Sequence, residues 1–478
     1  MHLLTAFEAL LASWRLVFPQ ERTFERAYRL TFGLLACLRQ HLTSAAICTT
    51  GRQFLDWTAD YRVFSRSPWQ PHRLFDAVMD GALAFLAPDP LPIIVALDDT
   101  ICRKTGRHIP GVSTWRDPQS PKFRINLMGG LRFVQGSLII APAQPGPARA
   151  LPLRFEPAPL PRKPKKNASQ DDLDQYKQLR KKLCLSNIGA DLIRSLRDAF
   201  DQRAATRQRP LLITVDGSYT NRAILTQLPD NTILLGRIRK DAKLHLPVPA
   251  VTVKQGRRPR YGPAAPTPEQ ILADASIPFI PVQCFAAGDL RTFQLKVVEN
   301  IFWRKAGSDR PLRLIVIKPV GYRLRNGSKL LYRDPAFLIC TDLTLPLQTL
   351  LQAYVYRWEI ECNHRDEKSF IGVAEGQVRN LKAVQRLPQF QVATYSLLQL
   401  ASLQAYGFGR SEYFLPLPKW RRKSARPSAA DMIDLLRAQL LRRSCSSPPP
   451  ANFIHFNFMP PHDVKCVEIP HTACIVAA

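Results

Sequence analysis

Three acidic residues stand where the chain could do chemistry with them. Asp98 ends the apolar run "PLPIIVALDDT" (90–100), Asp216 ends "RPLLITVDGS" (209–218), and Glu361 lies in "YVYRWEIECNHRDEK" (354–368). An apolar, β-branched run that stops at a carboxylate reads as a buried strand delivering an acid at its end. At about 100° per residue, Tyr354, Arg357, Glu361, Arg365 and Lys368 fall within about 80° of arc on a helix. Taken alone, that stripe describes a solvated face held by Arg357–Glu361 and Glu361–Arg365 pairs, worth about 0.3–0.5 kcal/mol each. If the two strands are neighbours and the helix packs on their sheet, three carboxylates meet. At about 4 Å they repel by several kcal/mol even at an effective dielectric near 20. Such a cluster calls for cations unless one acid is protonated. All-oxygen ligands suit Mg²⁺ or Mn²⁺. A two-metal carboxylate site in a chain of net charge +29 points to phosphodiester cleavage or transfer.

The elements that must position these acids divide the 478 residues into five segments. Residues 1–88 show helical periodicity and carry Arg62 and Arg66, which suits a helical domain that docks on DNA or braces its neighbour. In 89–240 the first strand ends at Asp98. "KFRINLMGGLRFV" (122–134) and residues 137–144 follow as strands, with Gln135-Gly136 suited to a tight turn between them. A helix capped by Ser169, with Asp171 and Asp172 in its first turn, comes next. The strand ending at Asp216, a short helix and a strand at "NTILLGRIRK" complete the order β-β-β-α-β-α-β, which implies a mixed α/β sheet covered by helices. Residues 241–344 read as an inserted β-rich subdomain. Residues 345–407 hold a long helix, with Thr344 as N-cap and Pro346 in its first turn, and a further helix. Residues 408–478 are a basic tail. A ribonuclease-H-like fold takes its acids from the first strand, the fourth strand and a late helix, and Asp98, Asp216 and Glu361 occupy those places.

The 67 Lys and Arg against 38 Asp and Glu concern partners rather than fold. Nucleic acid leads, ahead of an anionic membrane surface. Basic clusters at "RKTGRH" (103–108), "RKPKK" (162–166), "GRRPR" (256–260) and "KWRRK" (419–423) supply candidate phosphate contacts. Ten scattered cysteines without a C-x-x-C pair suggest neither a zinc knuckle nor a disulfide framework, and reduced thiols suit a cytoplasmic protein. The N-terminal stretch lacks the marks of a signal peptide, and no uncharged apolar run reaches a membrane span, so no membrane partner is expected.

Tyr354-x2-Arg357-x3-Glu361-x6-Lys368 resembles the Y-x2-R-x3-E-x6-K signature of bacterial insertion-sequence DDE transposases of the cut-and-paste group. At ordinary residue usage a chain this long would hold that pattern by chance roughly a few times in a thousand. Arg357, Trp358, Ile360 and Glu361 look like the family's usual wording, as do "DDT" (98–100) and "VDGSY" (215–219). "GRRPRYG" (256–262), with Arg257, Arg258 and Arg260, resembles a basic element of the family's β-rich insertion. The resemblance spans about 90–405. It implies a ribonuclease-H-like core, two Mg²⁺ or Mn²⁺ ions held by Asp98, Asp216 and Glu361, and phosphate contacts from Tyr354, Arg357 and Lys368. The implied partners are double-stranded DNA, at element ends and at the target, and a second copy of the chain once two ends are paired.

Two acids compete with those chosen. Asp99 points to the opposite face of the strand from Asp98, and the family's D-x-T form favours Asp98, leaving Asp99 to cap or to pair with a base. Glu359 lies about 160° from Glu361 on the helix. Three activities fit: a transposase that cuts and joins, an inactive or domesticated DNA-binding derivative, and a nuclease of the same fold without strand transfer.

Overall fold

The computed structural model describes residues 2–446 except 107, 118–119, 122, 250–258, 308–309, 324–326 and 422–423. Apolar residues at helical spacing give five N-terminal helices: α1 (Leu3–Ala12), α2 (Glu21–Ala36), α3 (Thr43–Thr49), α4 (Trp57–Ser65) and α5 (Asp76–Ala82). The strands β1 (Ile93–Arg103), β2 (Ser113–Arg116), β3 (Leu127–Ile140) and β4 (Arg149–Pro157) follow, then α6 (Gln170–Lys182), α7 (Leu185–Asp201), β5 (Leu211–Val215), α8 (Arg222–Leu225) and β6 (Thr232–Arg237). Next come α9 (Pro268–Ala273), β7 (Ile280–Ala286), β8 (Asp289–Ile301), β9 (Leu312–Ile317), β10 (Gly321–Tyr322), β11 (Leu331–Tyr332) and β12 (Ala336–Cys340). The chain closes with α10 (Leu347–Tyr356), α11 (Trp358–Phe370), α12 (Leu381–Tyr406) and α13 (Ala429–Ser446).

One mixed sheet runs through the molecule in the order β2-β3-β1-β5-β6-β12-β9-β8-β7, with β4 on the far side of β3. β1 pairs antiparallel with β3 and parallel with β5, and β5 pairs parallel with β6. The central strands are buried on both sides, as a sheet covered by helices requires. α7 packs on one face, where Leu192 and Leu196 meet Gly136. On the other face Leu350 and Leu351 of α10 share a core with Leu212, Leu235 and Leu338, and Ile360 of α11 packs with Ala96. The strands of the 241–344 segment extend this sheet, because β12 pairs with β6; β10 and β11 form a separate two-stranded ribbon. The N-terminal helices share one core with α12, in which Phe390 packs edge-on with Phe64 and at a tilt with Trp14. Arg62 and Arg66 remain exposed.

Three local expectations fail for identifiable reasons. Gln135-Gly136 makes no turn: β3 runs straight through it, with a bulge against β4 between Gly136 and Ser137. A Cβ on Gly136 would come within 2.9 Å of Leu192 and Leu196, so this glycine serves close helix packing rather than reversal. The third strand of the meander is therefore β4, not 137–144. Thr344 does not cap the long helix. Asp342 accepts from the backbone N–H of Thr344 and Leu345, turning the chain so that Pro346 becomes the N-cap. Ser169 does cap α6, in a reciprocal pair with Asp172.

Candidate active site

Leu97 and Val215 are the last register partners of the parallel β1–β5 ladder, and an aspartate follows each. Neighbouring strands lie about 4.8 Å apart, so Asp98 and Asp216 stand side by side where the ladder ends. β1 itself does not stop at Asp98, because β3 continues to pair it as far as Arg103. β5 does stop: the Asp216 carboxylate accepts from the backbone N–H of Ser218 at 2.8 Å, and the Thr220 hydroxyl donates to the Asp216 carbonyl at 2.8 Å. This tight turn packs on β6 at Gly236, where a Cβ would lie 2.2 Å from the Thr220 hydroxyl.

The expected long helix is two helices meeting at Arg357. Its N–H donates to both Ala353 and Tyr354, and its own carbonyl accepts from Ile360, the tighter pattern of a local overwinding. Because Arg357 itself keeps helical dihedrals, α10 and α11 remain nearly in phase. Its guanidinium spans the gap between two acids, with Nη2 2.8 Å from Glu361 and Nη1 3.6 Å from Asp98. It also lies 5.9 Å from the Tyr354 ring centre. Burial works against the Arg357 charge, but Asp98, Tyr354 and Glu361 together raise its pKa. Asp98 is pushed up to about 7, first by burial and then by Asp216 and Asp99, while Arg357 and the Asp99 N–H pull the other way.

The competing acids have other partners. Asp99 faces the α7 side of the sheet, where Arg132 bonds it at 2.6 Å and the Tyr219 hydroxyl at 3.1 Å. Glu359 is bonded by Arg426 at 2.6 Å. Arg365 pairs with Asp366 at 2.8 Å rather than with Glu361. Glu367 is fully buried and pushed up to about 8 by that burial, against a hydrogen bond from Gln135 and the charge of Lys368.

Tyr354 lies within electrostatic reach of Asp216, Arg357 and Arg237, with its pKa raised chiefly by burial. Arg237, exposed at the end of β6, is a neighbour of Tyr354 that no motif signals; only the placement of β6 beside β5 reveals it. Lys368 lies further along α11, beside Cys102, His364 and Glu367. Arg260 is exposed next to Tyr261, which packs against His245 and Phe302. Arg257 and Arg258 lie outside the described residues.

Among the described residues no group of three or more His, Cys, Asp or Glu side chains forms a ready metal cage. Arg357 supplies the counter-charge between Asp98 and Glu361. The donors still suit a divalent cation, being all oxygen, with Asp98 a partly buried carboxylate whose ionisation is opposed by its surroundings. Among the described residues no helix is long and apolar enough to cross a membrane, and Cys37, Cys48, Cys102, Cys184, Cys284, Cys340 and Cys362 are unbridged.

A family model described as DDE superfamily endonuclease matches residues 15–279, more than half of the chain. The match includes Asp98 and Asp216 and ends before α10 and α11. None of the curated proteins compared with the chain matches it.

Proposed function

Since the chain belongs to the DDE superfamily of endonucleases, we propose that it is an insertion-sequence transposase, cutting DNA at element ends and joining the ends to target DNA. The observation that carries this reading is the meeting of Asp98, Asp216 and the Arg357–Glu361 pair at the end of one parallel ladder. The strand order β4-β3-β1-β5-β6, with only the β1–β5 and β5–β6 pairings parallel, supports a ribonuclease-H-like core. The segment 241–344 is then an insertion that lengthens the sheet, 1–88 a helical N-terminal unit and 408–478 a basic tail.

DDE endonucleases generally work with divalent metal ions. Asp98, Asp216 and Glu361 would hold two Mg²⁺ or Mn²⁺ here. When bound, such ions favour deprotonation of the attacking water or DNA 3′-hydroxyl and offset charge on the leaving oxygen. Arg357 presents a planar fork that suits a phosphate as well as it suits Glu361. Arg237 and Lys368 extend positive charge on either side of it, and Tyr354 supports the guanidinium from its ring face. Asp99 acts indirectly: it holds Arg132 and Tyr219 and so fixes the strand that carries Asp98.

The test is incubation of the purified protein with Mg²⁺, DNA carrying the element's terminal repeats, and a target plasmid. Cut ends joined to the plasmid are expected from the wild type, with neither product from Asp216→Ala. Cutting without joining would leave a nuclease of the same fold. Binding without cutting would leave an inactive derivative.

A further inference from the structure

We propose that a cleft about five nucleotides from the catalytic acids is a second phosphate-binding subsite for the DNA being cut. This proposal rests on the DNA-cleaving reading above. The cleft, about 400 Å³, lies between the segment leaving β1 at Arg103 and Lys104 and the turn after α11 that carries Ala374, Glu375, Gly376 and Arg379. β1 and α11 both lead to it from the acids. Glu361 pairs through Arg357 with Asp98, and seven residues later Lys368 lies beside Cys102, four residues beyond Asp98 on the same strand. From Asp98 to Arg103 a strand advances about 17 Å. At about 3.4 Å per nucleotide along one strand, that is about five nucleotides from the reacting phosphate.

The cleft is built rather than a gap between loops. The Lys104 ammonium donates to the carbonyls of Ala374 at 2.7 Å and of Gly376, strapping the two walls together. Burial lowers its pKa, and these two bonds hold it against carbonyls, so it acts as floor rather than ligand. The one acid in the lining, Glu375, is engaged by His41, whose backbone N–H donates to it and whose ring Nδ1 lies 3.4 Å away. Arg103 and Arg379 are exposed at the rim, and neither side chain forms an ion pair with a described residue. Two open guanidiniums over a strapped floor suit the oxygens of a phosphodiester.

The test measures DNA affinity against salt for the wild type and for Arg103→Gln/Arg379→Gln. It uses DNA with charge-neutral methylphosphonates four to six nucleotides from the cut on one side, then on the other. The double variant is expected to bind at least tenfold more weakly at moderate salt, with a log–log salt slope shallower by about 2. Methylphosphonates on one side should weaken the wild type several-fold and the double variant not at all. That non-additivity marks direct contact. Equal weakening of both proteins would overturn the subsite. It would also be overturned if DNA modification had no effect while inorganic phosphate raised the melting temperature of the wild type alone; the cleft would then take free phosphate. A wild type that cuts DNA but shows either result disproves the cleft and leaves the function standing. A wild type that neither binds nor cuts disproves both.

Discussion

Leu97 and Val215 face each other as the last pair of the parallel ladder between β1 and β5, and each is followed by an aspartate. Alternation then separates the two acids of the 98–99 pair. Asp98 takes the α10–α11 side of the sheet, and Asp99 takes the α7 side with Arg132 and Tyr219.

Asp98→Asn and Asp99→Asn should therefore fail in different ways. The first should lose cleavage while keeping its urea midpoint. The second leaves Arg132 without its partner and should lose about 1–3 kcal/mol of stability. Urea titration beside a cleavage assay separates them; equal midpoints with equal loss of cutting would refute the division.

Arg357→Ala should leave Asp98 and Glu361 facing each other without counter-charge. A metal-free destabilisation of about 1–3 kcal/mol is expected. Millimolar Mn²⁺ should raise the melting temperature of this variant more than that of the wild type, because cation and guanidinium serve the same carboxylates. Differential scanning fluorimetry with and without Mn²⁺ checks it.

Much of the candidate site's placement is legible in the sequence, and the illegible parts have physical causes. The two aspartate strands are legible because a long apolar run that stops at an acid suits a buried strand and little else. β4 is hard to read because it buries two arginines and carries Pro152. Arg149 bonds Gln399 and the Pro427 carbonyl, Arg154 bonds the Leu153 carbonyl and Ser195, and Pro152 sits by the bulge of a strand paired only to β3. Arg237 owes its place near Tyr354 to pairing between distant segments, which local patterns do not encode. The break at Arg357 is invisible for a different reason: the residue stays helical, so a continuous wheel still puts Tyr354, Arg357 and Glu361 on one side.

Gly236→Ala should damage the site through the turn that follows Asp216. The added Cβ meets the Thr220 hydroxyl at 2.2 Å and Val215 at 2.8 Å, so Thr220 must leave the Asp216 carbonyl. A stability loss of about 1–3 kcal/mol is expected, with a larger fall in cleavage rate than Gly136→Ala, whose clash is with the leucine ends of α7. Single-turnover rates of the two variants decide it.

Glu367 links stability to pH. Its folded pKa of about 8 lies above the ordinary glutamate value, so folding favours the protonated form. Its contribution is fully present below about pH 4.5 and is lost as pH rises to about 8. Glu367→Gln should therefore be more stable than the wild type at pH 8.5, by on the order of a few kcal/mol, with the difference shrinking towards pH 5. Urea midpoints at the two pH values measure it; a pH-independent difference would contradict the role of burial.

The most direct test of the active site compares Glu361→Ala with Glu359→Ala in single-turnover, Mg²⁺-dependent cleavage of terminal-repeat DNA. The two acids sit two residues apart on α11. One is joined through Arg357 to Asp98, and the other is bonded to Arg426. Glu361→Ala should lose about a thousandfold or more in rate, on the order of what removal of a transition-state charge contact costs, and Glu359→Ala less than about tenfold. A Glu361→Ala protein that cuts as fast as the wild type would contradict the assignment of Glu361 to the catalytic site.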